Sequence, residues 1–323
     1  MNAKVENVFV FLLVAVVITA GFFIWRIQPD LRPADNSDLR SLVNAAKAYD
    51  PKKFLGLASG LIKTAGSGLT AIAIGPGDNL YVGGSNGIEV ISKEWAHVAM
   101  IAVSGTVSCI TVACDGDVFA GVRDHIEVFG CDRVRKAVWV SPEAKAELTS
   151  VAVSSNFVFA CDYVNRVVWR FTLDGKLSGR IGDKDGDQRP AGFIVPSPYF
   201  DVAAAADGSI WVTNPGMHRV EHFSADGKFM SSWGSASMNV EGFCGCCNPT
   251  HIALMHDGSF VTSEKRIARV KLYDADGVFK GIVSGQDDWP DKIVGLDLAV
   301  DSRGRIWVLH PQADAVRVYA KKL

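Results

Sequence analysis

The sequence predicts an all-β six-bladed propeller preceded by one transmembrane helix. Three observations predict it: a strand–turn–strand unit that recurs six times, a composition rich in glycine (31) and tryptophan (8), and one long apolar run free of charge near the start. Many glycines with scattered aromatics suit short strands and tight turns better than long helices. Hydrophobic residues at 48% and charged residues at 21% exclude a disordered chain. Lys+Arg 33 against Asp+Glu 35 gives a net charge of −2 and no electrostatic reason to expect a nucleic-acid partner.

Residues 1–6 form a short tail. Residues 7–25, NVFVFLLVAVVITAGFFIW, carry no charge. As a helix this run spans roughly 28 Å, close to the thickness of a hydrocarbon core. A cleaved signal peptide is the competing reading. Ala20 and Gly21 are small, but Ile18 and Thr19 make a poor cleavage site. The expectation is an uncleaved single-pass anchor. Residues 26–51 read as a polar linker with one short helix, with Leu39, Leu42, Val43 and Ala46 on one face and Asp35, Asn36 and Ser37 as caps.

The repeats fill 52–323. Their first strands align on Ile72, Ile110, Val151, Val202, Ile252 and Leu298, their second on Leu80, Val118, Val158, Ile210, Phe260 and Ile306. The offset is 8 in five repeats and 7 in the third. A third strand follows each time and reaches Ile91, Phe129, Phe171, Phe223, Tyr273 or Tyr319. In three repeats an Asp-Gly turn (174–175, 226–227, 276–277) then opens a fourth strand. Four antiparallel strands at this period make a propeller blade. The sixth repeat ends after its third strand, so Lys53–Thr64 is expected to supply its fourth and close the ring.

The pattern around Val202–Lys228, with DGSIWVTN, RVEHF and DGK, resembles NHL-repeat propellers over about residues 52–323. That resemblance implies the architecture and leaves activity open, because the family contains protein-binding, RNA-binding and enzymatic members.

Strand alternation places Ile72 and its equivalents between blades and their neighbours toward the channel. The small set Ala73, Thr111, Ala152, Ala203, Ala253 and Ala299 is expected at a crowded axis. One step earlier lie Ala71, Cys109, Ser150, Asp201, His251 and Asp297. Two carboxylates flanking an imidazole can hold a cation or share protons. Polar residues are equally expected at a wet channel mouth. Loops after the second strands add Glu264 and His310 to the same face, which makes it the expected ligand or partner face. The Asp-Gly face is expected to be structural.

Seven cysteines cannot all pair within one chain. Gly242–His251 aligns without gaps on Gly192–Asp201, yet only the later loop carries Cys244, Cys246 and Cys247. A structural disulfide (244–247 or 246–247), a thiolate metal site with His251, and a redox-active or interprotein thiol are the competing readings. A divalent metal, zinc, copper or calcium, is a candidate cofactor. Cys161 and Cys114 are expected to be small buried hydrophobes. No phosphate loop, G-x-S-x-G, H-E-x-x-H or dinucleotide fingerprint occurs. Asp183–Asp187 resembles part of a calcium loop without its bidentate glutamate, and reads as a solvated turn.

The functional expectation is a membrane-anchored binding or scaffolding module with a protein partner. A metal-dependent lyase or hydrolase is the first alternative, with Asp201, His251 and Asp297 as ligands and His310 or Glu264 as acid/base. A redox or metal-handling accessory using the cysteine loop is the second. Arg26, Arg32 and Arg40 after the span, against Lys4 before it, favour a cytoplasmic domain. The resemblance to exported NHL-type proteins and the cysteine loop favour a periplasmic or extracellular propeller, which is the expectation, since long domains translocate despite such charge.

Overall fold

The computed structural model describes residues 56–182, 191–289 and 295–321. The expected tail, span and linker (1–6, 7–25, 26–51) and the Asp183–Asp187 turn lie outside them. No helix among the described residues is long and apolar enough to cross a membrane.

Six four-stranded antiparallel sheets follow one another. Blade 1 holds β2 (Ala71–Ile74), β3 (Leu80–Gly84), β4 (Gly87–Ile91) and β5 (His97–Ile101). Blade 2 holds β6 (Cys109–Val112), β7 (Val118–Val122), β8 (His125–Phe129) and β9 (Arg135–Val140). Blade 3 holds β10 (Leu148–Val153), β11 (Phe157–Asp162), β12 (Val167–Thr172) and β13 (Leu177–Ile181). Blade 4 holds β14 (Val202–Ala204), β15 (Ile210–Asn214), β16 (Arg219–Phe223) and β17 (Phe229–Trp233). Blade 5 holds β18 (His251–Leu254), β19 (Phe260–Glu264), β20 (Arg269–Tyr273) and β21 (Phe279–Ser284). Blade 6 holds β22 (Leu298–Val300), β23 (Ile306–His310) and β24 (Ala315–Lys321), and its outer strand is β1 (Gly56–Lys63), from the other end of the domain. The expected closure is thus present, with Ile62 opposite Val316.

The apolar core is divided among the six gaps between blades. Ile72 packs with Trp307, Leu309 and Val316 of blade 6, while Ala71 and Ala73 pack with Ile110 and Val118 of blade 2. This corrects the expected orientation of the alanine ring. A first strand turns its hydrogen-bonding edge, not a side-chain row, to the axis, and its side chains alternate between the two neighbouring gaps. The alanines are small because neighbouring sheets converge there: a small residue on one blade meets a branched one on the next, as Ala152 meets Val202.

The Asp-Gly turns have the expected structural role. Gly175 (φ 86°) and Gly277 (φ 78°) adopt left-handed backbone. A Cβ there would lie 2.3 Å from the Trp139 ring or 2.4 Å from that of Trp233, each on the outer strand of the preceding blade. Glycine is needed both for the turn and for the indole that covers it.

Because β1 joins the two ends of the domain, it is the weak link of the ring. Ile62→Ala removes a buried side chain there and should cost about 2–4 kcal/mol. Hydrogen exchange should then accelerate first in β1 and β24. Equal acceleration in blades 2 to 4 would show that closure is not the weak point.

Candidate functional site

The first strands of blades 1, 4, 5 and 6 turn N–H groups to the axis, and three polar ring residues accept from them. The Asp201 Oδ2 accepts from the Ile252 N–H of the next blade at 2.7 Å, and its Oδ1 from Val202 N–H at 3.0 Å. The Asp297 Oδ2 accepts from Ile72 N–H at 2.7 Å, across the closure, and its Oδ1 from Leu298 N–H at 2.8 Å. Ser150 does the same from blade 3, its Oγ accepting from Val202 N–H at 3.1 Å. Each leans one blade forward, so the ring is a set of staples between consecutive inner strands.

Both aspartates line an axial cavity of about 290 Å³ with the inner strands. Burial pushes Asp201 up to about 6, against the lowering pull of its hydrogen bonds. Burial, and then the Asp201 charge, push Asp297 up to about 8. The two carboxyls repel and titrate as a pair.

His251 does not join them. Its Nδ1 is 3.2 Å from Ser263 Oγ, its ring meets Tyr199 edge-on, and burial depresses it to about 4, so it is neutral. It lines a separate mouth cavity of about 440 Å³ with Arg123, Glu147, Thr149 and Tyr199.

Glu264 and His310 lie within the blades and not in the channel. Glu264 is 1% exposed; its Oε2 accepts from Arg269 Nε at 2.8 Å and stands 3.4 Å from Lys271 Nζ. Its Oε1 accepts from Cys244 N–H at 3.4 Å, which ties down the cysteine loop. Asn214 holds the blade-four loop in the same way, through Ile194 N–H at 3.0 Å, and Asp162 the blade-three loop, through Glu147 N–H at 3.2 Å. A polar residue at the end of a second strand is therefore a loop fastener, a regularity visible in the aligned repeats but not read from them. His310 is buried against Trp289, and burial and then Arg317 hold it below the usual imidazole range.

The three loop cysteines part company. Cys244 points inward, 5% exposed, packed on Ile267 and 3.5 Å from Arg269 Nη2. Cys246 is exposed and Cys247 buried, their Sγ atoms 2.9 Å apart. All seven cysteines are free thiols. Burial pushes Cys109 up to about 12 and raises Cys161 and Cys244. Burial also acts on Cys247, but hydrogen bonds from Cys246, Ser197 and Lys265 and the Lys265 charge outweigh it and hold the thiol below its usual range. Cys161 is buried as expected. Cys114 is exposed, because β6 ends at Val112 and leaves it in the following turn. Among the described residues no group of three or more His, Cys, Asp or Glu side chains stands close enough to hold a metal ion.

The opposite mouth holds a cavity of about 940 Å³, lined by Phe119, Leu173, Trp211, Leu254, Met255 and other residues of the turn-bearing face.

The fold is that of known six-bladed propellers. A streptogramin B lyase superposes with TM-score 0.55 at 11% identity, over 81% of this chain and 97% of that one. A catalytically inactive virginiamycin B lyase from Staphylococcus aureus, solved with quinupristin, gives 0.53 at 13% identity, over 80% and 82%. Selenomethionine-substituted virginiamycin B lyase from Staphylococcus aureus gives 0.56 at 11% identity, over 81% and 98%. At these identities the likeness shows the fold alone. No family model matches the sequence, and no curated protein matches it.

Proposed function

We propose that this chain is a membrane-tethered binding module whose propeller engages a protein partner outside the cytoplasm, through the face that carries the loops into the first strands. One observation carries the choice of binding over catalysis. The carboxylates that would serve a channel enzyme are already engaged: both oxygens of Asp201 and of Asp297 accept backbone N–H groups, and Glu264 is bound to Arg269. A metal-dependent lyase or hydrolase would need those atoms for ligation or proton transfer.

The face itself supports partner binding. Exposed Arg123 and Glu147 flank half-buried Tyr199 and His251 around the 440 Å³ mouth, a mixture of charge and aromatic surface typical of protein interfaces. The charge-free run 7–25 supports the tether.

Site-specific photocrosslinking in intact cells tests the reading. A photoreactive residue at Arg123 or Glu147 should give a discrete adduct, and one at Asp257 on the opposite face should give none. Adducts confined to Asp257 would move the site to the 940 Å³ mouth. Protease added to spheroplasts should digest the propeller; a protected domain inverts the topology.

A further inference from the structure

The geometry points to a thiol–disulfide exchange site at the adjacent pair Cys246 and Cys247, with Cys246 as the sulfur that meets an incoming organic disulfide and Cys247 as the sulfur that resolves it. The site stands on its own contacts and does not depend on the binding role proposed above.

Four features converge. The two sulfurs are 2.9 Å apart, within reach of a bond of about 2.05 Å, and the short spacing of adjacent Cα atoms, about 3.8 Å, makes such a disulfide strained and readily reduced, as an exchange site requires. Their exposures differ: Cys246 is open to solvent and Cys247 is 2% exposed. A molecule from solution therefore reaches Cys246 and not its neighbour. The surroundings of Cys247 favour an anion. Ser197 and the Lys265 ammonium both hydrogen-bond to its sulfur, and Lys265 is itself held in place by Ser197 Oγ at 2.7 Å and by the Tyr199 ring, 5.0 Å to its centre. Finally, the loop is fastened. Asn248, 1% exposed, donates through Nδ2 to Cys244 O at 2.6 Å and Lys265 O at 3.3 Å, and its Oδ1 accepts from Lys265 N–H at 2.9 Å.

The blade-four loop shows what this arrangement replaces. In the gapless alignment Pro196 and Ser197 stand where Cys246 and Cys247 stand, and the frame around them is the same. Ser197 from that counterpart loop supplies one of the hydrogen bonds to Cys247. The pair thus sits where two equivalent loops meet, beside the mouth lined by Tyr199 and His251.

The step balances as follows. Cys246 loses its proton and its thiolate attacks one sulfur of a disulfide R–S–S–R, forming Cys246–S–S–R and releasing RS⁻. The Cys247 thiolate attacks Cys246 Sγ, closing the Cys246–Cys247 disulfide and releasing a second RS⁻. The two cysteines lose two electrons, which reduce R–S–S–R. Their two protons convert both RS⁻ to RSH. Lys265 favours the thiolate form of the resolving sulfur and so the second attack.

The full chain, fully reduced and carrying Cys114→Ser and Cys131→Ser to remove the other exposed thiols, is incubated with oxidised glutathione near neutral pH. Two reduced glutathione molecules should appear per chain, and peptide mass mapping should place a disulfide between Cys246 and Cys247. Cys247→Ser should stop at one glutathione on Cys246 and one released. Cys246→Ser should abolish the reaction under native conditions. Lys265→Met should slow ring closure about tenfold, so that the mixed disulfide accumulates. Circular dichroism checks the fold of each variant. The proposal is overturned if the Cys247→Ser chain still releases two glutathiones. Reaction of Cys246→Ser at the parental rate, or no reaction of the parental chain, overturns it equally. Parental closure kinetics in Lys265→Met would remove the role of the ammonium. None of these results bears on crosslinking at Arg123, so the two proposals fail separately.

Discussion

Replacing Glu264 with alanine should destabilise the propeller by about 3–5 kcal/mol, because it removes the buried carboxylate that Arg269 and Lys271 share. Arg269 is 1% exposed, and Lys271 is fully buried against Phe243 and Tyr273, with its Nζ donating to Val240 O at 3.1 Å and Gly242 O at 2.7 Å. The two cations respond differently. Burial already lowers Lys271 to about 8 even with Glu264 beside it. Without Glu264 its pKa falls further and the amine sheds its proton, which limits its share of the cost. Arginine cannot do this, so most of the penalty falls on Arg269. Adding Arg269→Met to Glu264→Ala should therefore recover part of the lost stability, measured as the denaturation midpoint in a double-mutant cycle. A Glu264→Ala chain that melts like its parent would return Glu264 to the list of free acid/base candidates.

That triad also marks where the sequence was legible and where it was not. The repeat offset fixed the blade count, and the missing outer strand in the sixth repeat fixed the closure, because both follow from strand periodicity. Glu89, Glu127 and Glu221 occupy the middle of the third strand in blades 1, 2 and 4, where Lys271 stands in blade 5. Glu89 and Glu127 accept loop N–H groups, from Ala65 at 2.7 Å and from Ser104 at 3.0 Å, and Glu221 accepts from Asn214 Nδ2 at 2.8 Å, whereas Lys271 donates to loop carbonyls. The charge reversal was readable in the alignment; the groups it answers were not. Likewise Asp201, His251 and Asp297 share one register position, but each aspartate reaches a partner on the next blade, about 50 residues away for Asp201 and across the ring closure for Asp297. Register showed that they are equivalent. Only the three-dimensional arrangement of the inner edges showed that the aspartates hold backbone while His251 turns to Tyr199 and Ser263. The cysteine loop was legible as an oddity, and its division into a buried Cys244 and an adjacent pair was not, since that depends on Glu264 and Arg269 drawing residue 244 inward.

The axial carboxyl pair should make the propeller less stable as pH rises from about 4 to about 8. The sign follows from proton counts. Asp201 and Asp297 hold their protons up to about 6 and about 8 in the folded chain, against 3.8 for the free residue. Across that window the pair binds more protons in the folded state than in the unfolded state, so its contribution falls with rising pH and levels off above about 8. His251, held at about 4 against 6.5 for the free residue, acts in the opposite sense from about 4 to 6.5, so the net decline is read between about 6.5 and 8; Lys271 acts above that window, its lowered pKa adding stability from about 8 toward 10.5. Asp297→Asn separates the two roles of the carboxyl. The amide can accept from only one of the Ile72 and Leu298 N–H groups, which costs about 1–2 kcal/mol at pH 5, where Asp297 is protonated and accepts from both. The same substitution removes the charge that repels Asp201. The variant should therefore melt below its parent at pH 5, lose less stability on the way to pH 8.5, and converge with or cross the parental curve there. Two parallel curves, offset equally at every pH, would mean that Asp297 titrates alike in the folded and unfolded chain and acts only as an acceptor.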